Sequence, residues 1–313
     1  MFALRFTAIL AFTLLLLLSL GAALMHIISA LSRTDEIAFV RTDTRDIYTL
    51  DVGSGITLPL LKGASAAAWL GWSRDGSLLA FTSGDDRLRI LNVTDGSLRD
   101  YSVGGGLFFM QEPAWSPDSR YIAFHAQANT SSFHIYLLRL ADGAIFPLRE
   151  QTATAVGAAW SPVSANGTMT LAFQALESSC GTDLYVLQIT ETSDGTPQDS
   201  DARRLTACGY QNMRPEWSPD GQRLLFYASS LAEGQRLSPP NIYTLDVASG
   251  TRQQLTTMGS TYYPTWSADG RQIAFTTLAL AQTCRVYLMD ANGDHLHCLS
   301  HDATIDVYLA WRP

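Results

Sequence analysis

Histidine and cysteine side chains cluster near the end of the chain, in the stretch "HLHCLSH" at 295–301. Imidazole and thiolate groups are the ligands that zinc prefers in proteins. If this stretch is a β-strand, His295 and His297 lie on one face because side chains alternate, and His301 falls beyond the strand end. Two interpretations stay open, a zinc site or a solvated outer strand, and we favour the outer strand.

Five aspartates raise the question of calcium: Asp46, Asp75, Asp118, Asp220 and Asp269. A calcium loop supplies its oxygen ligands from closely spaced positions, whereas these residues are far apart in the chain. Four of them occupy the same place in a repeated turn, for which aspartate is well suited. We therefore predict no metal and no other cofactor.

A repeated phrase determines the predicted fold. It occurs as "LGWSRDGSLLAF" (70–81), "PAWSPDSRYIAF" (113–124), "PEWSPDGQRLLF" (215–226) and "PTWSADGRQIAF" (264–275). A looser copy stands at 158–173, and "LAWRP" ends the chain. Its tryptophans recur every 43 to 57 residues, as Trp72, Trp115, Trp160, Trp217, Trp266 and Trp311.

Each unit between these tryptophans contains four short segments typical of strands, separated by turn residues. Four-stranded units of this length that repeat along a chain predict a β-propeller. Residues 35–61 supply the last three strands of a unit, and the C-terminal segment supplies a first strand. We therefore predict an all-β, six-bladed propeller over 34–313, with its ring closed by the C-terminal strand joining the first blade.

The phrase "WSPDG", followed by "IYxLD" and "LT" segments, closely resembles the TolB-type, WD40-like propeller repeat. The resemblance covers essentially all of 35–313 and implies a bacterial extracytoplasmic protein. TolB itself works in a cell-envelope complex and has an α/β domain before its propeller, and the resemblance is to the propeller part only. The repeat also accompanies serine peptidases of the prolyl oligopeptidase kind, but this chain has no G-x-S-x-G motif.

The N-terminal segment contains no charged residue from Phe6 to Leu31, a length sufficient for a membrane-spanning helix. We predict that 1–33 is one hydrophobic helix, either an uncleaved signal anchor or a cleaved signal peptide with its site near Gly21. The protein is then single-pass in the cell membrane with the propeller extracytoplasmic, or secreted or periplasmic after cleavage.

The chain has four cysteines, an even number, which in an exported protein indicates pairing. Cys180 and Cys208 flank the third and fourth strands of one unit, and Cys284 and Cys298 are placed similarly in the last. We predict the disulfides Cys180–Cys208 and Cys284–Cys298, with four free thiols as the alternative.

Segments leading into the innermost strands surround one mouth of a propeller channel. Aromatic residues and arginine are frequent anchors of interfaces. The predicted binding residues in these segments are Phe109, Gln111, Glu112, Tyr210, Gln211, Arg214, Tyr262, Tyr263 and Tyr308. Insertions at 191–202 and 228–241 are predicted to be solvated, mobile loops.

The net charge of −8 argues against a nucleic acid partner, since phosphate binding needs a basic surface. No catalytic set of residues stands out. We therefore predict a membrane-anchored scaffold that binds a protein or glycan of the cell envelope. Two alternatives stay open: a hydrolase or lactonase with its site in the channel, and a ligand sensor.

Overall fold

The computed structural model describes residues 35–64, 67–102, 106–128, 132–148, 154–177, 181–230, 237–278 and 284–313. Strands are the regular elements of this part of the chain, and no helix occurs in it. No described helix could therefore cross a membrane. The predicted N-terminal helix and the membrane anchor at 1–33 lie outside the described residues.

Twenty-five strands follow one another along the described chain. The first twelve are β1 (Glu36–Arg41), β2 (Ile47–Asp51), β3 (Thr57–Leu61), β4 (Ala68–Trp72), β5 (Leu78–Ser83), β6 (Arg87–Asn92), β7 (Leu98–Tyr101), β8 (Leu107–Trp115), β9 (Tyr121–Ala128), β10 (Phe133–Arg139), β11 (Ile145–Pro147) and β12 (Ala155–Trp160). The others are β13 (Met169–Glu177), β14 (Gly181–Glu191), β15 (Pro197–Asp199), β16 (Arg203–Arg204), β17 (Tyr210–Trp217), β18 (Arg223–Ser230), β19 (Asn241–Asp246), β20 (Arg252–Gln254), β21 (Thr261–Trp266), β22 (Gln272–Thr277), β23 (Val286–Asp290), β24 (His297–Ser300) and β25 (Ile305–Trp311).

Four sheets contain four strands each, in the orders β25-β1-β2-β3, β4-β5-β6-β7, β8-β9-β10-β11 and β21-β22-β23-β24. The pairing of β25 with β1 joins the C-terminal strand to the first strands of the described chain, as the two terminal fragments predicted. Closure of this kind removes exposed sheet edges. The all-β propeller class is therefore confirmed.

The prediction of six separate blades is not confirmed, because the remaining strands form one nine-stranded sheet. Its two halves are joined by a parallel pairing of Gly181 and Thr182 in β14 with Tyr210 and Gln211 in β17. A side chain at Gly181 would put its Cβ 2.6 Å from the Tyr210 carbonyl oxygen, so the approach requires glycine. The described residues thus form four distinct four-stranded blades.

The insertion at 191–202 is more ordered than predicted. Part of it forms β15, which pairs with the end of β14. Glu191 accepts hydrogen bonds from the Tyr121 hydroxyl at 2.6 Å and from Arg120 at 2.8 Å, so this hairpin packs against the preceding sheet. Two charge-assisted contacts and the ladder extension account for its order.

Six strands end at the repeated tryptophans and line one central channel: β4, β8, β12, β17, β21 and β25. We call them the inner strands. The channel end at which they begin is called the ring end, and the end at which they finish is called the turn end. Each tryptophan is at least nine-tenths buried in an apolar core, which for Trp217 lies between the two halves of the nine-stranded sheet.

The turn after the inner strand is built as the repeat predicts. In the copy at 215–226, the Ser218 hydroxyl donates to Asp220 at 2.5 Å, and the Gln222 N–H donates to the same carboxylate oxygen at 3.0 Å. These hydrogen bonds hold the pKa of Asp220 below its usual range. The aspartates 75, 118 and 269 make the corresponding contacts, so the four act in turns.

Neighbouring inner strands approach most closely at Gly71. A Cβ added there would lie 2.2 Å from the Pro113 carbonyl oxygen, which belongs to the rigid backbone of β8. Backbone cannot retreat as a flexible side chain can, so overpacking at this point separates two sheets.

We expect Gly71→Ala to lower the free energy of unfolding by about 2 kcal/mol, the usual cost of forcing extra atoms into a packed core. Urea denaturation measures the change. Gly53→Ala is the matched control, because its added Cβ would have only Asp51 Oδ1 at 3.8 Å as a neighbour. Equal stability of the two variants would contradict the close approach.

Candidate functional site

The residue three positions before each repeated tryptophan is directed at the channel. These six residues, which we call the ring, are Trp69, Glu112, Gly157, Arg214, Tyr263 and Tyr308. In the first five, the strand register shifts and φ is positive, from 50° to 67°. A β-bulge of this kind re-aims a side chain, so the repeat itself builds the ring.

Arg214 lies at the centre of the ring. Its guanidinium carbon is 4.6 Å from the Trp69 ring centroid, 4.8 Å from that of Tyr263 and 5.3 Å from that of Tyr308. Its Nη1 atom lies 3.1 Å from Glu112 Oε1. Cation–π contacts and an ion pair together hold the guanidinium across the channel.

Glu112 connects the ring to a buried histidine. His125 Nδ1 lies 3.7 Å from Glu112 Oε2, and His125 Nε2 lies 3.4 Å from Gln111 Oε1. Burial lowers the pKa of His125, and the nearby Arg214 cation lowers it further against the opposing effect of Glu112. His125 is therefore neutral near pH 7, and the charge partner of Glu112 is Arg214.

Gly157 completes the ring by having no side chain. A Cβ at this position would lie 3.1 Å from Gln174 Oε1 and 3.4 Å from Glu112 Oε2. Gln174 Oε1 in turn accepts the backbone N–H of Arg214. Because Gly157 has no side chain, Gln174 and Glu112 have the space to contact Arg214.

A cavity of about 560 Å³ extends along the inner strands from the ring to the turn end. Pockets that bind small molecules have volumes of this order. All six repeated tryptophans contribute to its wall, as do ring residues such as Glu112 and Arg214. Its turn end includes Arg74 and Ala268, both exposed, so this end of the cavity meets solvent.

The residue immediately before each repeated tryptophan controls how neighbouring inner strands are joined. In four strands it is small, and its carbonyl oxygen accepts the indole N–H of the next strand. These bonds are Trp72 to Ala310 at 3.0 Å, Trp115 to Gly71 at 3.0 Å, Trp160 to Ala114 at 3.2 Å and Trp217 to Ala159 at 3.1 Å.

Glu216 and Thr265 occupy this position in the other two strands. Glu216 Oε1 accepts the Trp266 backbone N–H at 2.9 Å and the Thr265 hydroxyl at 3.1 Å. The indole N–H groups of Trp266 and Trp311 are buried without a hydrogen-bond partner. Burial raises the pKa of Glu216 to about 7, so a titratable carboxyl group faces the cavity.

The ring end carries five exposed large apolar side chains: Phe108, Phe109, Leu176, Leu237 and Leu278. Phe109 is 56% exposed, and Phe108 49%. The backbone N–H of Leu176 donates to Thr154, just before β12, and that of Leu278 donates to Ser260, just before β21. Such a concentration at one end of a propeller indicates a contact surface.

The structure brings four of the nine predicted binding residues into the ring: Glu112, Arg214, Tyr263 and Tyr308. Gln111 contacts His125, and Tyr262 stacks on Tyr263 with centroids 6.2 Å apart. All nine lie in strands β8, β17, β21 and β25 rather than in the loops from which they were predicted, because these strands begin earlier than expected.

Two predicted residues lie apart from the ring, at the junction of β14 and β17. Tyr210 stacks against the Arg252 guanidinium, which lies 4.0 Å from its centroid. Gln211 accepts the Thr182 hydroxyl at 2.9 Å. Their contacts join strands and do not reach the channel.

Sequence reasoning missed Trp69, Gly157, His125, Gln174 and Glu216. The fixed offset from the repeated tryptophan would have identified Trp69, Gly157 and Glu216, because each occupies the position of another ring or junction residue. His125 and Gln174 lie on second strands, β9 and β13, and no pattern in the sequence singles them out.

The disulfide Cys284–Cys298 is present as predicted, with Cα atoms 5.8 Å apart. Cys208 is also disulfide-bonded, and its predicted partner Cys180 lies outside the described residues. Cys284, Cys298 and His301 offer ligand atoms within 4.8 Å of one another, but both sulfurs are in the disulfide and no thiolate is available.

The histidines of 295–301 do not form one face, because His295 precedes β24 and has a positive φ of 53°. Its Nδ1 lies 2.5 Å from Asp290 Oδ2, and this hydrogen bond raises the pKa of His295. The His297 imidazole donates to the His295 carbonyl oxygen at 2.9 Å. The prediction that His295 and His297 lie on one strand face is therefore wrong.

The fold and the tryptophan-lined channel define a β-propeller of the TolB class. A family model described as the TolB beta propeller domain, PD40, matches residues 94–313. The chain therefore belongs to the TolB beta propeller domain family.

Solved structures with the same fold include TolB from Acinetobacter baumannii, with a TM-score of 0.69 and 18% identity over 92% of this chain and 70% of that one. A putative TolB from Agrobacterium tumefaciens has a TM-score of 0.59 and 21% identity, over 89% of this chain and 98% of that one. An oligogalacturonate lyase in complex with manganese has a TM-score of 0.57 and 15% identity, over 81% and 70%. At these identities the likeness shows the fold alone.

Glu216 makes stability depend on pH. Its pKa of about 7 in the folded protein exceeds its ordinary value of 4.5, so the folded state binds the extra proton between these values. The free energy of unfolding therefore falls as pH rises from about 4.5 to about 7, by up to about 3 kcal/mol. We expect Glu216→Gln to remove this slope. Parallel stability curves for variant and wild type would contradict the assignment.

Two kinds of junction join the inner strands: in one the indole N–H donates to a backbone carbonyl, and in the other the indole N–H has no partner. Replacing the tryptophan should therefore cost a different amount of stability in each. Trp160→Phe removes the hydrogen bond to the part-buried Ala114 carbonyl, whereas Trp266→Phe removes an N–H that has no partner. Both variants lose the same side-chain volume, because each replaces an indole with a phenyl group. We expect Trp160→Phe to cost about 1 kcal/mol more in urea denaturation. A larger loss for Trp266→Phe would show that its indole N–H is paired in solution.

Proposed function

We propose that this protein is a non-enzymatic binding protein of the cell envelope that holds a protein partner at the ring end of its propeller. The observation that carries the proposal is the concentration of exposed apolar side chains around the ring, led by Phe108 and Phe109. Exposed aromatic groups on a rigid scaffold are typical anchors of protein interfaces.

The ring supports this proposal by its rigidity. Arg214 is fixed by three aromatic side chains and by Glu112, so it offers a preformed surface whose ordering costs little entropy on binding. The Trp69 and Tyr308 rings are in contact at a tilt of 42°, with centroids 3.8 Å apart, and extend the aromatic surface of the ring. The apolar rim and the cationic centre together suit a protein segment that carries apolar and acidic groups.

Family membership supports the location. The TolB-type repeat is expected in extracytoplasmic bacterial proteins, and the uncharged run from Phe6 to Leu31 is long enough for a membrane span. We propose that 1–33 anchors the propeller outside the cytoplasm, or is cleaved to release it there. We also propose that the nine-stranded sheet acts as two fused blades, which gives a six-bladed ring.

An enzyme with its site in the channel is the second candidate, and Glu216 is the observation that favours it. A carboxyl group with a pKa of about 7 could act as a general acid or base. Glu112 lines the same cavity but is paired with Arg214. A second reactive group beside Glu216 does not occur among the described residues that line the cavity, so we rank binding first.

Affinity capture from envelope extract tests the binding proposal, with the tagged full-length chain as bait. We expect the double variant Phe108→Ser/Phe109→Ser to lose the partner, because it removes two interface anchors from the ring end, at a cost of about 2 kcal/mol or more in binding. Quantitative mass spectrometry of the captured proteins gives the enrichment of each partner relative to the wild type.

Val163→Ser is the matched control, because Val163 is 52% exposed and lies at the turn end. Its capture profile should match that of the wild type. A partner that is retained by the Phe108/Phe109 variant and lost by the Val163 variant would contradict the proposed face. Capture of glycan instead of protein would contradict the proposed partner class.

A further inference from the structure

We propose that the channel contains a second binding site, at Glu216, which takes the primary ammonium group of a small organic cation that enters from the turn end. The site is separate from the ring-end surface and does not depend on the proposed protein partner. Its basis is a partly buried carboxyl group that lines the cavity, at a position where four of the other five inner strands have glycine or alanine and the fifth has Thr265.

The comparison among the inner strands shows that the fold does not need a carboxyl group here. The equivalent residues Gly71, Ala114, Ala159 and Ala310 make the same strand junction with a backbone carbonyl and an indole N–H. A carboxyl group removed from bulk water is costly unless it is paired. Its presence at this one junction therefore calls for a functional explanation.

One oxygen of Glu216 is occupied and the other is open. Oε1 accepts both hydrogen bonds, from Trp266 and Thr265. Oε2 makes no hydrogen bond to the described residues, and Glu216 lines the cavity. A ligand in the cavity therefore has a carboxylate oxygen available to it.

The charge of Glu216 is compensated only in part: the nearby Arg214 cation lowers the Glu216 pKa against the larger, opposite effect of burial. The nearest cation on its own strand is Arg214, but that guanidinium is paired with Glu112 in the ring. Arg74, at the turn end, donates to the Pro162 carbonyl oxygen at 2.6 Å. Among the described residues no ion pair involves Glu216, so a cationic ligand would supply the missing positive charge.

The chemistry of the surroundings selects an ammonium group on a short apolar chain. The Glu216 carboxylate, whose Oε2 makes no hydrogen bond to the described residues, favours a group that brings both a positive charge and N–H donors. A carboxylate ligand would be repelled by Glu216, and a neutral alcohol would gain a hydrogen bond without charge compensation. Trp217, Trp266 and Pro264 supply apolar wall for the carbon chain.

The route to the site leads through the turn end. The opposite end is occupied by the ring, in which the Arg214 guanidinium contacts Trp69 and Tyr308. At the turn end the cavity wall includes Pro117, Pro162 and Pro219, which belong to the turns after the inner strands. A small cation can therefore reach Glu216 while a protein occupies the ring end.

A charge series on one carbon skeleton tests the proposal: butylammonium, 1-butanol and butyrate. Each is titrated into the full-length chain at about pH 8, where Glu216 is ionised, and binding is followed by tryptophan fluorescence, because six tryptophans line the cavity. We expect butylammonium to saturate the signal with a Kd of about 1 mM, at least about tenfold tighter than the other two. Equal binding of 1-butanol, or no binding of butylammonium, overturns the proposal.

Two variants locate the site. Glu216→Gln removes the charge, and Glu216→Ala reproduces the residue found at the equivalent junctions, which preserves a fold that the repeat already tolerates. We expect both to weaken butylammonium binding by about tenfold or more. Glu191→Gln, which lies outside the cavity, should bind as the wild type does. Wild-type affinity in both Glu216 variants overturns the site, whatever the outcome of partner capture.

Discussion

The close approach of six inner strands around one axis is the constraint on which the rest of the structure depends. At Gly71, the residue before Trp72, the strands leave room for hydrogen only, because an added Cβ would lie 2.2 Å from the Pro113 carbonyl oxygen. Indole N–H groups then bridge neighbouring strands through backbone carbonyls. These bonds and the buried indole rings hold the sheets in a ring, since an unpaired buried donor is costly.

Two positions in each inner strand, three residues and one residue before the repeated tryptophan, determine which side chains reach the channel. Three residues earlier, a bulge turns the side chain toward the channel, where the ring gathers around Arg214. One residue earlier, Glu216 and Thr265 replace small residues and place a carboxyl group against the cavity. The inner strand thus serves both the structure and the proposed function. Its repeated residues set the geometry of the channel, and the residues that differ between copies give the channel its chemical character.

Much of the fold could be predicted because the repeated phrase records it directly. Trp217, the Ser218–Asp220 turn and the joining of β25 to β1 all follow from local patterns. The fusion of two units through Gly181 could not, because it depends on the reach of an 11-residue strand and one close backbone approach. Tyr210 and Gln211 were expected at the channel mouth, but the pairing of β14 with β17 places them at the junction of these two strands. The sequence shows neither this strand register nor the bulges that turn side chains toward the channel.

Site-specific photocrosslinking tests most directly whether the ring end is the surface that meets the partner. A photoreactive residue replaces Phe109 in one protein and Val163 in another, positions that are 56% and 52% exposed at opposite ends of the channel. Each full-length protein is irradiated in envelope extract, and crosslinked products are identified by mass spectrometry. The account predicts a discrete protein adduct from position 109 and none from position 163. An adduct from position 163 alone would contradict it.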